Sequence, residues 1–174
     1  MCSNLQTGQA EYVKCAKMDK TGLAYLRASA SMPFVSRISE IGGKKYLDGG
    51  ICDSIPLHAF QKMGYERCVV VQTRAAGYQK KPNKLGWLAP LVYRKYPKFA
   101  AAIKNRHIMY NNELEQIEQA QKNGAAFVIR PSKNVKIHHM ETDKKVLQAV
   151  YDLGRGDAIK LLPELKKFLK EAKK

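Results

Sequence analysis

Residues 44–74, KKYLDGGICDSIPLHAFQKMGYERCVVVQTR, decide the fold. The opening KKYLD is β-prone and ends at Asp48-Gly49-Gly50. The IPLHAFQKMG that follows has the composition of a helix, with Gly64 as its stop. RCVVVQTR is then almost wholly apolar, the pattern of a strand buried on both faces, and Cys68 within it reads as a small buried apolar residue. Strand, helix and strand in this order argue for an α/β layered fold with at least a partly parallel sheet.

The neighbouring sequence supports the same reading. Upstream, FVSRISEIGGKKYLDGGI places two β-prone runs around Gly42-Gly43, as in a hairpin. LAYLRASASM, after Gly22, has the composition of a short helix that Pro33 stops. QAEYVKCAK, behind the Thr7-Gly8 turn signal, reads as a strand. Downstream, GYQKKPNKLG is loop-like and residues 87–97 are irregular or briefly helical. The clearest helix covers 98–123, where Phe99, Ile103, His107, Tyr110, Leu114 and Ile117 recur every three or four residues before Gly124. AAFVIRPS is a second buried-type strand. Two amphipathic helices are expected after it, one over 142–153 and one resuming at Pro163. Two central-type strands with so few neighbours leave open sheet edges, as in part of a larger fold.

The chain has 174 residues, which at about 150 per domain suggests one domain or slightly more. Apolar residues make up 45%, too many for a disordered chain. No run approaches the ~20 apolar residues that cross a bilayer, and MCSNLQTGQAEY has no leader-like basic flank and apolar core. Cys2, Cys15, Cys52 and Cys68 form no CxxC pair and have no histidine at zinc-site spacing, so no metal is expected and a reducing, cytoplasmic compartment is.

Lys and Arg outnumber Asp and Glu by 31 to 15, a formal net charge of +16. Residues 67–112 contain no acid at all, and they hold Lys80, Lys81, Lys84, Arg94 and Lys95 interleaved with Tyr78, Trp87, Tyr93, Tyr96 and Phe99. Such a stretch is either a solvated face with some core aromatics or a docking surface for an anionic partner. The lysine-rich end, Lys166, Lys167, Lys170, Lys173 and Lys174, reads as a solvated helix face.

Few residues suggest chemistry. The sequence has no GxSxG, P-loop, HExxH or GxGxxG. Ser29 and Ser31 have no His or Lys at an activating spacing. His58 reads as lying on the helix after the DGG turn, and His138-His139 as following a strand. Asp48-Gly49-Gly50 is the sharpest signal. An Asp-Gly pair closing a β-prone run marks a hairpin turn. Alternatively, two glycines, with Gly49 at positive φ, let the chain leave the strand sharply and present the carboxylate at the strand's carboxyl end, where α/β sheets place their sites.

The run LAYLRASASMPFVSRISEIGGKKYLDGGICDSIPLHAFQKMGYERCVVVQTRAAGYQKKP resembles the patatin-like phospholipases, in particular their bacterial branch. The matching pieces are the RASASMPF block, the GxxYLDGGI strand and turn, the DSIPL helix start, the VVVxTR strand and the GYxKKP loop. YNNELEQIEQAQKNGAAFVIRPS looks like the same branch, so the resemblance covers nearly the whole chain.

The resemblance implies a lipid acyl hydrolase with a Ser-Asp dyad on a three-layer α/β/α fold, acting on a lipid or other ester without a cofactor. In that family the nucleophile lies in a GxSxG elbow and the oxyanion hole in a glycine-rich loop, and neither stands in this sequence. The family's catalytic aspartate maps onto Asp48, with Gly49 and Gly50 as the active-site turn. By this resemblance, about 1–135 are the C-terminal part of a patatin-like domain and about 136–174 a helical extension. The chain then lacks the N-terminal half of the same fold and is inactive alone. For a lipase-like protein, Lys80, Lys81, Lys84, Trp87, Arg94 and Lys95 are expected to contact an anionic membrane surface, giving a peripheral location. The rival readings are a basic nucleic-acid-binding domain, supported by charge alone, and a catalytically dead lipid-binding scaffold. No nucleic-acid motif is present, so nucleic acid is not the expected partner.

Overall fold

The computed structural model of the protein describes residues 1–135, 137 and 141–171. In chain order its elements are β1 (Cys2–Asn4), β2 (Gln9–Glu11), α1 (Lys20–Ser29), β3 (Ser39–Ile41), β4 (Lys44–Asp48), α2 (Leu57–Lys62), β5 (Cys68–Val71), α3 (Ala89–Val92), α4 (Pro97–Lys122), β6 (Ala126–Ile129) and α5 (Lys144–Glu171). A 3-10 turn, Gly49–Ile51, follows β4, and another, Gly86–Leu88, precedes α3. The fold is mixed α/β. The chain forms two compact units, one of residues 1–56 and 80–113, the other of 57–79 and 114–174.

The first unit is built on an antiparallel sheet of order β2-β1-β4-β3. The expected hairpin closes at Gly42-Gly43, both at positive φ (57° and 75°), which glycine adopts without the steric cost a side chain adds. Successive strand residues face opposite sides, and β4 uses both. Tyr46 packs with Cys2 and Ala28 toward α1. Leu47 joins Leu5, Ile51, Ala89, Tyr93, Phe99, Ala100 and Ile103 in the larger core. Helix α1 begins three residues earlier than expected, because the Asp19 carboxylate accepts from Thr21 and Gly22 N–H and caps it. Phe34 is the one non-glycine residue at positive φ (69°) among those described. Its N–H donates to the Tyr93 hydroxyl at 2.9 Å, and its ring lies 5.6 Å from that of Tyr93.

In the second unit β5 and β6 pair in parallel, with Cys68 opposite Ala126 and Val71 opposite Ile129. This is the expected parallel element. Burial on both faces is not found, however: Val70 is buried but Val69 and Val71 are 40% and 69% exposed, since only one side of β5 is covered. Cys68 is likewise half-buried, its Sγ directed at the Tyr65 carbonyl. Phe127 of β6 packs on Phe168 of α5, ring centres 5.6 Å apart.

The two helices expected at the C-terminus are one. Gly154 does not take the positive φ that ends a helix, and Pro163 sits inside α5, where lacking an N–H removes only one hydrogen bond. Asp157, buried within α5, accepts the Ser132 N–H at 2.8 Å and ties the helix to the segment after β6. That bond holds the Asp157 carboxyl below the usual carboxylate range. His138-His139, Lys173 and Lys174 lie outside the described residues. No described helix is long and apolar enough to cross a membrane.

Candidate active site

Asp48 is the last residue of β4, and three hydrogen bonds and a strand pairing fix it. Its N–H donates to the Ser31 carbonyl at 2.8 Å, and its carbonyl accepts from the buried Ser3 hydroxyl at 2.8 Å. Its side-chain Oδ1 accepts from Gly50 N–H at 2.9 Å, capping the 3-10 turn, and the Asp48–Cys2 pairing holds the strand end in register. Oδ2 has no donor among the described residues, and the residue is only half-buried. The carboxylate is thus held through one oxygen, with the other left to accept a proton.

The hairpin reading of Asp48-Gly49 does not hold. The chain runs from β4 through the 3-10 turn toward α2 and forms no return strand. The positive φ expected at Gly49 is also absent. Glycine is required at 49 by close approach instead: a Cβ there would lie 2.6 Å from the Met1 carbonyl oxygen. At Gly50 it would sit 3.4 Å from both an Arg106 guanidinium nitrogen and Asp48 Oδ1. Asp48 does lie at a strand's carboxyl end, though in an antiparallel sheet and not a parallel one.

No described serine donates to the Asp48 carboxylate. Ser31 Oγ is bonded to the Arg27 carbonyl, Ser3 Oγ to the Asp48 and Gly49 carbonyls, and Ser54 Oγ to the Gly50 carbonyl. Each hydroxyl serves the backbone. His58 is exposed on α2, as expected.

Sequence reasoning missed the residues that surround the turn. Arg106 Nε donates to the Gly50 carbonyl at 2.6 Å. The Glu113 carboxylate accepts Ser54 N–H at 3.0 Å and Ile55 N–H at 3.1 Å. Asp53 Oδ2 accepts from the Tyr12 hydroxyl, while Asp53 Oδ1 is buried with no hydrogen-bond partner among the described residues. Burial, and then Asp53, push the Glu113 carboxyl up to about 7, against the pull of the two N–H donors. Burial and Asp53 likewise raise the Tyr12 hydroxyl. The one available signal was the seven-residue spacing of Arg106 and Glu113, which puts them on one face of a helix two turns apart.

The basic residues divide. Lys81, Lys84, Arg94 and Lys95 are exposed and Trp87 is 73% exposed. Lys80 is half-buried, its Nζ 4.8 Å from the Tyr110 ring centre and its backbone paired with the Asn111 side chain. Most of the interleaved aromatics are not surface: Tyr93 and Phe99 are buried and stack edge to face at 5.2 Å, and Tyr96 is half-buried. Next to Trp87, Leu91 is 70% exposed. Arg94 and Lys95 line an open cavity with Phe34, Ile38, Val92 and Tyr93.

Residues 5–60, which hold the RASASMPF block, β4 and the DGG turn, match the family described as patatin-like phospholipase. This stretch is similar to the patatin-like phospholipases. The match covers Asp48, Gly49 and Gly50 together with β2, β3 and β4 of the sheet that carries them. The expectation that the chain is only the C-terminal half of such a domain is not borne out, since the match lies toward the chain's N-terminus. Residues 96–170, partly read with the same family above, match a second one, described as a domain of unknown function (DUF6363). No curated protein matches the chain.

Proposed function

We propose that Asp48 is the general base of a Ser-Asp dyad in a lipid acyl hydrolase, and that residues 1–174, which contain no GxSxG, do not turn over esters alone. The observation that carries the reading is the presentation of Asp48 within the patatin-like residues: Oδ1 is tied to Gly50 N–H and Oδ2 is left without a donor. A serine hydroxyl is a weak nucleophile, and without a histidine it needs a nearby carboxylate to take its proton as Oγ bonds to the ester carbonyl carbon. The carbonyl electron pair moves onto oxygen, where backbone N–H donors stabilise it. Collapse of the intermediate breaks the ester C–O bond, and the proton on Asp48 passes to the departing alkoxide. Water, deprotonated by the same carboxylate, then hydrolyses the acyl-serine.

Exposed Lys81, Lys84, Trp87, Arg94 and Lys95 serve, in this reading, to dock on an anionic lipid surface from a peripheral position, with the half-buried Lys80 contributing less. Cations near such a surface gain about 1 kcal/mol each, and indole favours the headgroup level. The test of the catalytic half is hydrolysis of a short p-nitrophenyl ester and of phospholipid. Residues 1–174 should stay at background, and a fusion to a GxSxG-bearing patatin-like segment should turn over. Steady turnover by residues 1–174 alone, abolished by a serine-directed phosphonate, overturns the proposal.

A further inference from the structure

We propose that Arg106 and Glu113 of α4 are positioning residues for the Asp48 turn, gripping residues 50–55 at two points two helical turns apart so that Gly50 N–H stays aimed at the Asp48 carboxylate. Arg106 holds the near end, where its Nε–H and the Ser54 hydroxyl both donate to the Gly50 carbonyl, at 2.6 and 2.7 Å. Glu113 holds the far end through the N–H groups of Ser54 and Ile55. Gly50 lies between these anchors and Asp48, with its carbonyl fixed by Arg106 and its N–H bonded to Oδ1. Glycine has the widest backbone freedom of any residue, so an unanchored Gly50 lets the carboxylate turn with it. A charge-assisted bond from Arg to that carbonyl removes this freedom.

The far grip is built to respond to protons. Facing Glu113 are Asp53 and Tyr12, with Cys52 beside those two and Arg106 on its own helix at the near end. Burial raises both Tyr12 and Cys52, so neither charges near neutrality. Asp53 and Glu113 are close enough for one proton to bridge them, and Asp53 Oδ1 otherwise lacks a donor. Since the Glu113 carboxyl rises to about 7 on folding, the folded chain holds this proton more tightly than the unfolded one. The stability it adds is complete below the ordinary glutamate range and is lost as pH rises through about 7.

The role in aiming Asp48 matters for catalysis only if the dyad reading is right, but the grip itself can be read without activity. On residues 1–174, the Ser54 and Ile55 amide resonances should titrate with a midpoint near 7, and that step should vanish in Glu113→Gln, which keeps the shape of the side chain. The fall in melting temperature between pH 5 and 8 should also be smaller in Glu113→Gln than in wild type. Arg106→Lys should speed hydrogen exchange of the Gly50 amide at least tenfold while the α4 and β4 amides keep their protection. Wild-type Ser54 and Ile55 amides that do not titrate, a step that persists in Glu113→Gln, or unchanged Gly50 exchange in Arg106→Lys each overturns the proposal. In the fusion, Arg106→Lys should lower kcat with KM little changed. An inert fusion with the exchange and titration results intact sinks the dyad reading and leaves the grip standing.

Discussion

Within the first unit, residues 48–55 and residues 81–95 are held in opposite ways. The Asp48 segment is fixed by hydrogen bonds with six other places in the chain: Ser3, Gly8, Tyr12, Ser31, Arg106 and Glu113. In the basic segment, Lys81, Lys84, Arg94 and Lys95 extend into solvent around an exposed Trp87, and only Tyr93 and Ala89 reach the core. The difference matches the two tasks proposed. A carboxylate that takes a proton in a transition state gains from being held at one angle. Lysines that meet a fluid, laterally mobile surface gain nothing from a fixed geometry, because attraction between exposed charges has little directional preference.

The sharpest way to break the comparison is at Asp48. Asp48→Asn keeps an oxygen able to accept from Gly50 N–H, so the melting temperature should hardly change. In the GxSxG fusion, kcat should nonetheless fall by about 10² to 10⁴, the usual worth of a general base. Near-normal kcat in this variant removes Asp48 from the chemistry.

The next largest effect is on stability. Gly49→Val puts a branched side chain where even a Cβ comes within 2.6 Å of the Met1 carbonyl oxygen. Forcing that strand end apart should cost about 1–3 kcal/mol, read from the midpoint of chemical denaturation. Unchanged stability shows that the close approach of Met1 to Gly49 does not hold the turn.

What the sequence could show of this site depended on range. The Gly42-Gly43 hairpin, the face of α4 through Phe99, Ile103 and Ile117, and the parallel pair of apolar strands all rest on local patterning, and all are found. Asp48 was legible because its turn residues are adjacent to it. The Arg106 bond to Gly50 spans 56 residues and that of Glu113 to Ser54 spans 59, and no periodicity carries such a pairing. The need for glycine at 49 was read as a positive φ and comes instead from close approach, since crowding by a distant backbone leaves no local trace. Whether Tyr93 lies in the core or on the surface stayed open for a related reason, because interleaving with lysines does not show which aromatics turn inward. The single helix α5 ran against two local stop signals because neither Gly154 nor Pro163 on its own compels a break.

The smallest effect sharpens the other side of the comparison. If residues 81–95 dock by charge and by Trp87, the protein should pellet with phosphatidylserine-containing vesicles and not with zwitterionic ones, and added salt should weaken the binding as screening shortens the reach of each charge. Losing one exposed cation forgoes about 1 kcal/mol, so Lys84→Ala or Lys95→Ala should each weaken vesicle binding about fivefold. Lys80→Ala should do less, because its ammonium is already engaged over the Tyr110 ring. Trp87→Ala should weaken binding with a smaller change in salt dependence, because it removes interfacial area and no charge. Lys84→Ala, Lys95→Ala and Trp87→Ala should not alter the melting temperature by more than a degree or two, since their side chains are exposed. Equal binding to both vesicle types would mean that the acid-free stretch is solvated surface. Salt-sensitive retention of RNA or DNA without vesicle binding would instead assign the same cations to a nucleic-acid partner.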